Sequence, residues 1–441
     1  MKTGLSLPAY PLFRLGRLWP CLLIGLLGSL TAVPGRAGDA PAGASPAVLE
    51  RWKDWRFGLF IHYDPSSLKG TEISWSRAGE RRDRNETITS GVPAAEYDNL
   101  YRQFNPTNFS APEWVATAQA AGVNYLVFTA KHHDGFAMFD TAFSDYKITR
   151  SPFGRDLTAE LAQACHAAAL PLGFYYSPPD WQDPDMCTPN HARYLANMKG
   201  QVKELLTHYG RVDVLWFDTD GGTNTPETWD NAALWPMIHS LQPEILLTKR
   251  CGGWGDFDTP EQHVGGFNNT HPWETCMTIC QQWSWKPDDR LKSLTECVHT
   301  LVNCAGGDGN LLLNVGPMPD GRIEPRQATR LRELGAWLTK NGESIYHTRG
   351  GPWEPGAYGV STRKDKTIFV HLLKPSADAV KLPAIQAKIL RAHLLGGGPV
   401  TVQQEASGIT LTVPAAERNA VDTIVALELD SPALAVPVVK P

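Results

Sequence analysis

Short, continuous apolar runs end at chemically useful polar side chains in four separate parts of the chain. Residues 57–61 precede His62, 125–129 precede the Lys131–Asp134 stretch, 172–176 precede Ser177, and 212–217 precede Asp218. Strands that are buried on both faces read as continuous apolar runs, as in parallel sheets. In a (β/α)8 barrel the active site lies at the carboxyl ends of such strands. The pattern therefore predicts one pocket assembled from distant segments.

Segments with apolar residues at three- and four-residue spacing follow these runs, which indicates amphipathic helices. Pro112 is placed where a first-turn proline belongs, and Gly122 and Gly210 where helices stop. The predicted helices are residues 111–121, 157–169, 191–209, 228–241, 291–304 and 324–340, with further strands at 244–248 and 310–315. Alternating strands and helices predict an α/β fold with a parallel sheet, here a (β/α)8-like TIM barrel.

The character of the sequence changes near residue 350. Beyond it are short strand-like runs separated by turns, at 367–373, 387–395, 401–403, 409–413 and 422–429, without a helical pattern. We expect a small C-terminal β-sandwich domain there. The predicted organisation is a signal peptide and linker over 1–40, a catalytic barrel over 41–349 and the β-sandwich over 350–441, with residues 38–48 as a flexible connection.

The N-terminus has the features of a secretory signal. Lys2, Arg14 and Arg17 accompany an apolar stretch over residues 18–33, and Ala37 or Ala40 follows as a possible cleavage point. The stretch is short for a membrane span and contains prolines, and no other segment of the sequence is apolar enough to cross a bilayer. We expect an exported protein, periplasmic or extracellular.

Composition narrows the classes of partner. The 441 residues carry a formal net charge of −5, which argues against nucleic acid as a ligand. Fifteen tryptophans suit a pocket for sugars, because aromatic faces stack on pyranose C–H groups, although a large core would also use them. Seven cysteines follow Cys21 without a CxxC pair, so a zinc ribbon is not expected and any disulfide pairing stays open.

Carboxylates at the predicted strand ends suggest acid–base chemistry. Asp218 closes a buried strand, and Glu261 follows it by about one β-α repeat. Retaining glycosidases need two carboxyl groups about 5–5.5 Å apart. The alternative for Asp218 is a loop cap, and the alternative for Glu261 is a surface position. Rivals for the second role lie nearby: Asp256, Asp258 and Glu274.

The run 131–136 is dense in polar groups for a structural strand end. Because adjacent histidines point in different directions, we expect one of His132 and His133 to line the pocket and the other to be satisfied within the core. A metal site using both with Asp134 is an alternative, but two neighbours on one strand chelate poorly without a distant third ligand. Asn314, at the end of the strand over 310–315, either faces the pocket or ties down a turn.

Taken together, these segments resemble glycoside hydrolase family 29, the retaining α-L-fucosidases. The similarity runs in order from about residue 51 to 346 and includes FGLFIH (57–62), TAKHHDGF (129–136), GRDL (154–157), WFD (216–218), WETC (273–276) and NGESIY (341–346). Two departures from the family pattern lie beside the expected pocket, Tyr63-Asp64 and Thr219-Asp220. The resemblance implies a barrel followed by a β-sandwich.

The resemblance also implies roles for individual residues. Asp218 is similar to the family's nucleophile, and Glu261 is similar to its acid/base. The implied sugar-binding residues are His62, Glu72, Trp75, His132, His133, Arg250, Trp283 and Trp285. No metal and no organic cofactor is expected. The expected partner is a fucosylated glycan, and the sequence leaves the oligomeric state undetermined.

The sequence therefore predicts an exo-acting α-L-fucosidase that works by double displacement. Three alternatives remain. The first is a glycosidase for a related sugar such as an α-L-galactoside, because an apolar pocket rejects an added hydroxyl only modestly. The others are a catalytically silent sugar-binding protein and a metal-dependent barrel hydrolase.

Overall fold

The structure is a computed structural model that describes residues 43–219, 224–374 and 379–440. The signal peptide expected over 1–40 lies outside the described residues, and so does Asp220 of the second departure from the family pattern. The remaining predictions fall within the described part of the chain.

Eight α-helices and seventeen strands occupy the described residues and are numbered here in chain order. The helices are α1 Pro46–Trp55, α2 Ala94–Tyr97, α3 Ala111–Ala121, α4 Leu157–Ala167, α5 His191–His208, α6 Asn231–Leu241, α7 Leu294–Gly306 and α8 Pro325–Asn341. The strands are β1 Phe57–Ile61, β2 Gly79–Arg81, β3 Glu86–Ile88, β4 Tyr125–Lys131, β5 Leu172–Tyr176, β6 Val214–Phe217, β7 Leu246–Leu247, β8 Glu274–Thr278, β9 Asn310–Val315, β10 Arg349–Gly350, β11 Val360–Lys364, β12 Thr367–Leu372, β13 Ala379–Leu382, β14 Ile389–Leu394, β15 Thr401–Glu405, β16 Gly408–Thr412 and β17 Thr423–Leu429.

Seven of these strands form one parallel sheet in the order β7-β6-β5-β4-β1-β9-β8. All seven are buried along their whole length, which explains why they read as apolar runs. Helices α3 to α8 follow strands of this sheet in the chain, as the periodicity predicted. The prediction of a TIM-like barrel is confirmed.

An irregular segment closes the sheet between its two edges. Residues 256–261, the closing segment, make isolated parallel bridges to Thr248 after β7 on one side and to Trp273 and Cys276 on the other. No helix of the described chain separates it from either neighbour. The chain returns sharply at Gly255, where a side chain would meet the Thr248 carbonyl oxygen at 2.4 Å. The closing segment thus takes the place of an eighth barrel strand, as an irregular, strand-like loop. Its sequence pattern did not reveal this role.

Helix α1 is a correction to the flexible connection expected over residues 38–48. Ser45 caps the helix through a hydrogen bond from the Val48 amide, and Pro46 occupies the first turn. Val48 and Trp52 are buried against the inner side chains of the barrel, and the Trp52 ring lies 4.5 Å from that of Phe257. This apolar packing, which propensity alone does not reveal, attaches the helix to the barrel core through Val48 and Trp52.

The C-terminal part consists of two antiparallel sheets, in the orders β10-β11-β12-β17-β14 and β13-β16-β15. Their facing side chains form a separate apolar cluster that includes Ile368, Leu382, Leu411 and Leu427. The alternation along β16, where Ile409 and Leu411 are buried, is typical of a sheet with one wet face. The expected C-terminal β-domain is confirmed.

None of the helices in the described part of the chain combines the length and the apolar composition that crossing a bilayer needs. Six of the seven cysteines after Cys21 are buried, and these six form no disulfide within the described residues. Burial raises the pKa of each of these six thiols.

Candidate active site

A cavity of about 460 Å³ opens at the carboxyl ends of the barrel strands. Pockets that hold small ligands typically combine aromatic walls with a few polar groups. Its lining residues are Phe60, His62, Trp75, His132, Tyr175, Trp216, Asp218, Arg250, Glu261, Cys276 and Trp283. The closing segment and the strand-end residues therefore meet in one pocket.

Asp218 lies at the end of β6 with both carboxylate oxygens engaged. Oδ1 accepts a hydrogen bond from Arg250 Nη1 at 3.0 Å, and Oδ2 accepts one from the Tyr175 hydroxyl at 2.8 Å. The side chain is 12% exposed, so it is shielded yet open to the cavity. A cation and a donor directed at the two oxygens favour the ionised form.

Arg250 joins the two carboxylates that the sequence proposed as a catalytic pair. Its Nη1 contacts Asp218 and its Nη2 lies 2.8 Å from Glu261 Oε2, while Nε donates to Thr259 Oγ1 at 2.7 Å. Burial alone would lower the pKa of Arg250, but the neighbouring carboxylates of Asp218 and Glu261 raise it above its ordinary value. One fixed guanidinium thus sets the mutual position of both acids.

Glu261 ends the closing segment, where its backbone bridges to Cys276 of β8. Its side chain is 39% exposed, far more than that of Asp218. In the described structure only Oε2 takes a side-chain hydrogen bond, from Arg250. The two carboxylates therefore differ in environment, as two groups with different catalytic roles must.

The rivals for the second acid are engaged elsewhere. Glu274 is fully buried and accepts hydrogen bonds from Trp216 Nε1, at 3.0 Å, and from the Tyr125 hydroxyl. Asp256 accepts bonds at 2.7 Å from the amides of Ala44 and Leu247. Asp258 is half exposed beside Lys249. None of these rivals lines the cavity.

His62 forms part of the cavity wall at the end of β1. Its Nδ1 is 2.7 Å from Asn314 Oδ1, and the Asn314 amide donates to the Trp283 carbonyl at 2.7 Å. Burial, the largest influence, lowers the pKa of His62 to about 4. The ring is therefore neutral near pH 7. Asn314 therefore orients the His62 ring, and its role is not limited to stabilising the turn that follows β9.

Both His132 and His133 approach Asp218, but only His132 lines the cavity, while His133 is buried beside it. In the described structure each ring is held by a serine side chain, and not by backbone as the sequence suggested for one of them. His132 Nδ1 is 2.7 Å from Ser74 Oγ, and its ring stacks on Tyr175 at 5.1 Å. His133 Nδ1 is 2.6 Å from Ser177 Oγ, and its Nε2 lies 3.6 Å from Asp218 Oδ2. Burial lowers the pKa of both rings well below the ordinary value.

The same corner is the one place in the described chain where histidine and carboxylate ligands gather closely enough for a metal ion. Ligand atoms of His132, His133 and Asp218 all lie within 4.8 Å of one another. Asp134, which the metal-dependent alternative required, instead accepts the Phe136 amide and lies against the buried Asp64. The Arg250 guanidinium already forms an ion pair with the Asp218 carboxylate. Its positive charge balances that of the carboxylate without a metal ion.

The aromatic candidates divide into two groups. Trp75 and Trp283 line the cavity, the latter with its ring 4.8 Å from that of His62. Trp285 does not line it, and its buried Nε1 has no hydrogen-bond partner in the described structure. Glu72 does not line it either. Its carboxylate accepts bonds from the amides of Ile73, Trp283 and Ser284, at 3.0–3.1 Å, and so holds the Trp283 loop in place.

Four residues of the cavity wall were missed in the sequence: Phe60, Tyr175, Trp216 and Cys276. Three of them stand two positions before a strand-end residue already identified, as Phe60 does before His62 and Trp216 before Asp218. Side chains two apart on a strand share a face, so each lies one layer below its partner. That spacing was the signal that could have located them.

A carboxylate pair at the carboxyl end of a TIM-like barrel, within an aromatic pocket, defines a glycoside hydrolase site. The sequence profile of the family described as "Alpha-L-fucosidase" matches residues 42–343. The chain therefore belongs to the α-L-fucosidase family.

Individual relatives agree with this assignment. The tissue α-L-fucosidase of Macaca fascicularis is 30% identical over 398 residues, covering 82% of each chain. The plasma α-L-fucosidase of Homo sapiens is 28% identical over 405 residues, covering 83% of this chain and 86% of that one. The solved α-L-fucosidase isoenzyme 1 of Paenibacillus thiaminolyticus superposes with a TM-score of 0.77 at 34% identity, covering 87% of this chain and 99% of that chain.

Proposed function

We propose that this chain hydrolyses terminal α-L-fucosyl residues of glycans by a retaining double displacement, with Asp218 as nucleophile and Glu261 as acid/base. The observation that carries the proposal is the single Arg250 guanidinium that binds both carboxylates at the mouth of the barrel. Family membership supplies the substrate class. The pocket geometry supports the assignment of residues.

In the first step Asp218 attacks the anomeric carbon and forms a glycosyl-enzyme bond. The contacts from Arg250 and Tyr175 favour the ionised carboxylate that this attack requires. The same contacts fix its two oxygens, so little reorganisation precedes attack.

Glu261 gives a proton to the departing glycosidic oxygen and then takes one from the water that hydrolyses the intermediate. To donate, it must release Arg250 and turn its carboxyl group toward the leaving group. Its 39% exposed side chain has room for that rotation. The exposure also gives water access in the second step.

The neutral rings of His62 and His132 suit hydroxyl recognition, since each lines the cavity with one nitrogen held by a neighbouring side chain and the other available to the sugar. His133 does not line the cavity, and its ring nitrogens face Ser177 and Asp218, so we assign it to the support of Asp218. Trp75 and Trp283 supply apolar faces. We assign Glu72 and Trp285 to the support of the Trp283 loop, because neither lines the cavity.

We further propose the domain division 1–40, 41–349 and 350–441, with the first segment directing export to the periplasm or the cell exterior. The sequence change near residue 350 and the two separate apolar clusters support the second boundary. The positive charge and apolar stretch of the first 33 residues support the first segment's role.

The test is sugar release from matched aryl glycosides of α-L-fucose, β-L-fucose and α-L-galactose, followed by proton NMR during early turnover. We expect release from the α-L-fucoside, with weaker action on the α-L-galactoside, and α-fucose as the first product. Stronger action on the galactoside would change the assigned substrate. A β-anomer appearing first would overturn the nucleophile role of Asp218.

A further inference from the structure

Glu274 is the most deeply buried acid near the pocket, and neither the mechanism above nor the sugar contacts use it. It opens β8 and is 0% exposed. Each carboxylate oxygen accepts one hydrogen bond, Oε1 from the Trp216 indole and Oε2 from the Tyr125 hydroxyl. Burying a carboxyl group is costly unless it is hydrogen-bonded. A position with two dedicated donors directly below the cavity floor suggests a role there.

Trp216 connects this acid to the reacting groups. Its ring lines the cavity, stacks on Tyr175 at 5.6 Å with a 19° interplanar angle, and carries the Arg250 guanidinium at 5.0 Å from its centroid. Tyr175 and Arg250 are the two residues that bind Asp218. Both residues that donate hydrogen bonds to Asp218 therefore pack against the Trp216 indole. Glu274 accepts a hydrogen bond from the indole N–H and so holds the ring in place.

The charge on Glu274 strengthens this arrangement. A carboxylate at the indole N–H polarises the ring, and a more electron-rich ring attracts the guanidinium on its face more strongly. Arg250 in turn sets the positions of Asp218 and Glu261. The contacts thus run from Glu274 to Trp216 and from Trp216 to Arg250. Arg250 then contacts both Asp218 and Glu261.

We propose that Glu274 is a positioning residue whose ionised form holds Trp216, and through it Arg250 and Tyr175, in the arrangement that presents Asp218 for attack. The inference rests on the proposed function, because it takes Asp218 as the nucleophile. It assigns Glu274 no contact with substrate.

The residues around Glu274 can also accommodate its carboxyl group in the protonated state. Burial raises the pKa of Glu274 to about 7, against the opposing effect of its two donors. Asn310 of β9 borders Tyr125, and its buried Oδ1 has no partner in the described structure. A protonated Glu274 can donate a hydrogen bond to the Tyr125 oxygen, which already lies beside it. The other titratable groups around this cluster are the thiols of Cys276 on β8 and Cys304 on α7, and Arg250, Asp218 and Glu261 beyond the indole.

The main test is Glu274→Gln, which copies the protonated state in shape and hydrogen bonding. We expect kcat at pH 8 to fall roughly ten- to a hundredfold, with KM nearly unchanged, because misplacement of catalytic groups by a fraction of an ångström has effects of this order. The wild-type kcat should decline on acidification through a titration near pH 7, and the variant should lack that component. Tyr125→Phe removes a donor to the carboxylate, so the titration should move to higher pH.

Stability separates positioning from a structural role. The folded protein binds the Glu274 proton more tightly than the unfolded chain, so this group makes folding less favourable as pH rises from about 4.5 to 7. Glu274→Gln should therefore melt at a higher temperature than wild type at pH 8 while being less active. Glu204→Gln, at another buried glutamate bonded to the Ala142 amide, is the matched control and should leave the kcat profile unchanged.

Two outcomes would overturn the proposal: full kcat with an unchanged pH profile in Glu274→Gln, or a loss of activity that only follows a lowered melting temperature. Near-ultraviolet circular dichroism of the wild type should show a tryptophan change with a midpoint near pH 7 that the variant lacks. This signal involves no turnover. If Asp218→Gly is not rescued by azide while the spectroscopic titration persists, the proposed nucleophile fails and the coupling of Glu274 to Trp216 stands.

Discussion

The two walls of the pocket are built differently. Asp218 extends from β6, inside a ladder of regular parallel strands, and both its oxygens are held. Glu261 ends the irregular closing segment, with isolated bridges on either side and a half-exposed side chain. The regular strand β6 holds the Asp218 carboxylate in one position, whereas the irregular closing segment leaves the Glu261 side chain room to rotate. A nucleophile needs the first arrangement and a group that both donates and accepts a proton needs the second.

Replacing the fixed acid should give the largest effect. Asp218→Gly is expected to lower turnover by about a thousandfold or more, because it removes the attacking atom. Added azide or formate should restore part of the activity by occupying the vacated position, while circular dichroism stays that of the folded wild type. Turnover close to that of the wild type would remove Asp218 from the mechanism.

Replacing Glu261 should slow hydrolysis by an amount that depends on the leaving group. Glu261→Ala is expected to slow hydrolysis of a natural oligosaccharide by about 100- to 10,000-fold, the usual contribution of general acid catalysis. A dinitrophenyl fucoside should be affected much less in its first step, because its leaving group needs no proton. The basic limb of the pH–rate profile should flatten. Equal slowing of both substrates would place the acid elsewhere on this wall.

Weakening the attachment of the irregular wall should affect stability more than chemistry. Asp256→Asn keeps only one acceptor oxygen, so the backbone N–H of either Ala44 or Leu247 loses its acceptor, which is expected to cost about 1–3 kcal/mol of unfolding free energy. Urea unfolding measures this loss, and kcat/KM should change only a few-fold. A large loss of activity with full stability would return Asp256 to the list of candidate acids.

The smallest effect concerns the histidines between the two walls. Because burial lowers the pKa of His62 to about 4, the ring is neutral from pH 5 to 8 and KM should vary little over that range. Its contribution to stability is complete above its ordinary pKa of about 6.5 and is lost as pH falls toward 4, because the unfolded chain takes up the proton first. Initial rates and melting temperatures across pH 4–8 check both statements. A steep rise in KM between pH 7 and 6 would contradict the neutral-ring assignment.

The same contrast explains which parts of the site were predictable. His62 and Asp218 follow strands whose apolar runs mark their ends, so their neighbourhood could be inferred. The closing segment has no such run, and Glu261, Glu274 and Asp256 could not be distinguished by spacing. Only their environments separate them: one lies in the cavity, one is buried beneath Trp216, and one holds the segment before α1.

By itself, the sequence predicted the barrel with its C-terminal β-domain and an acid at a strand end, because burial on both faces and helical periodicity are local properties of the chain. Its ordered motifs indicated the family by resemblance. The tertiary structure decided that residues 46–55 form a helix packed on the barrel core, that both His132 and His133 approach Asp218, and that Tyr175, stacked on Trp216, donates to it. These outcomes depend on contacts between residues far apart in the chain. Arg250 illustrates the limit: its sequence position allows many partners, and only the closed barrel brings both acids within reach of one guanidinium.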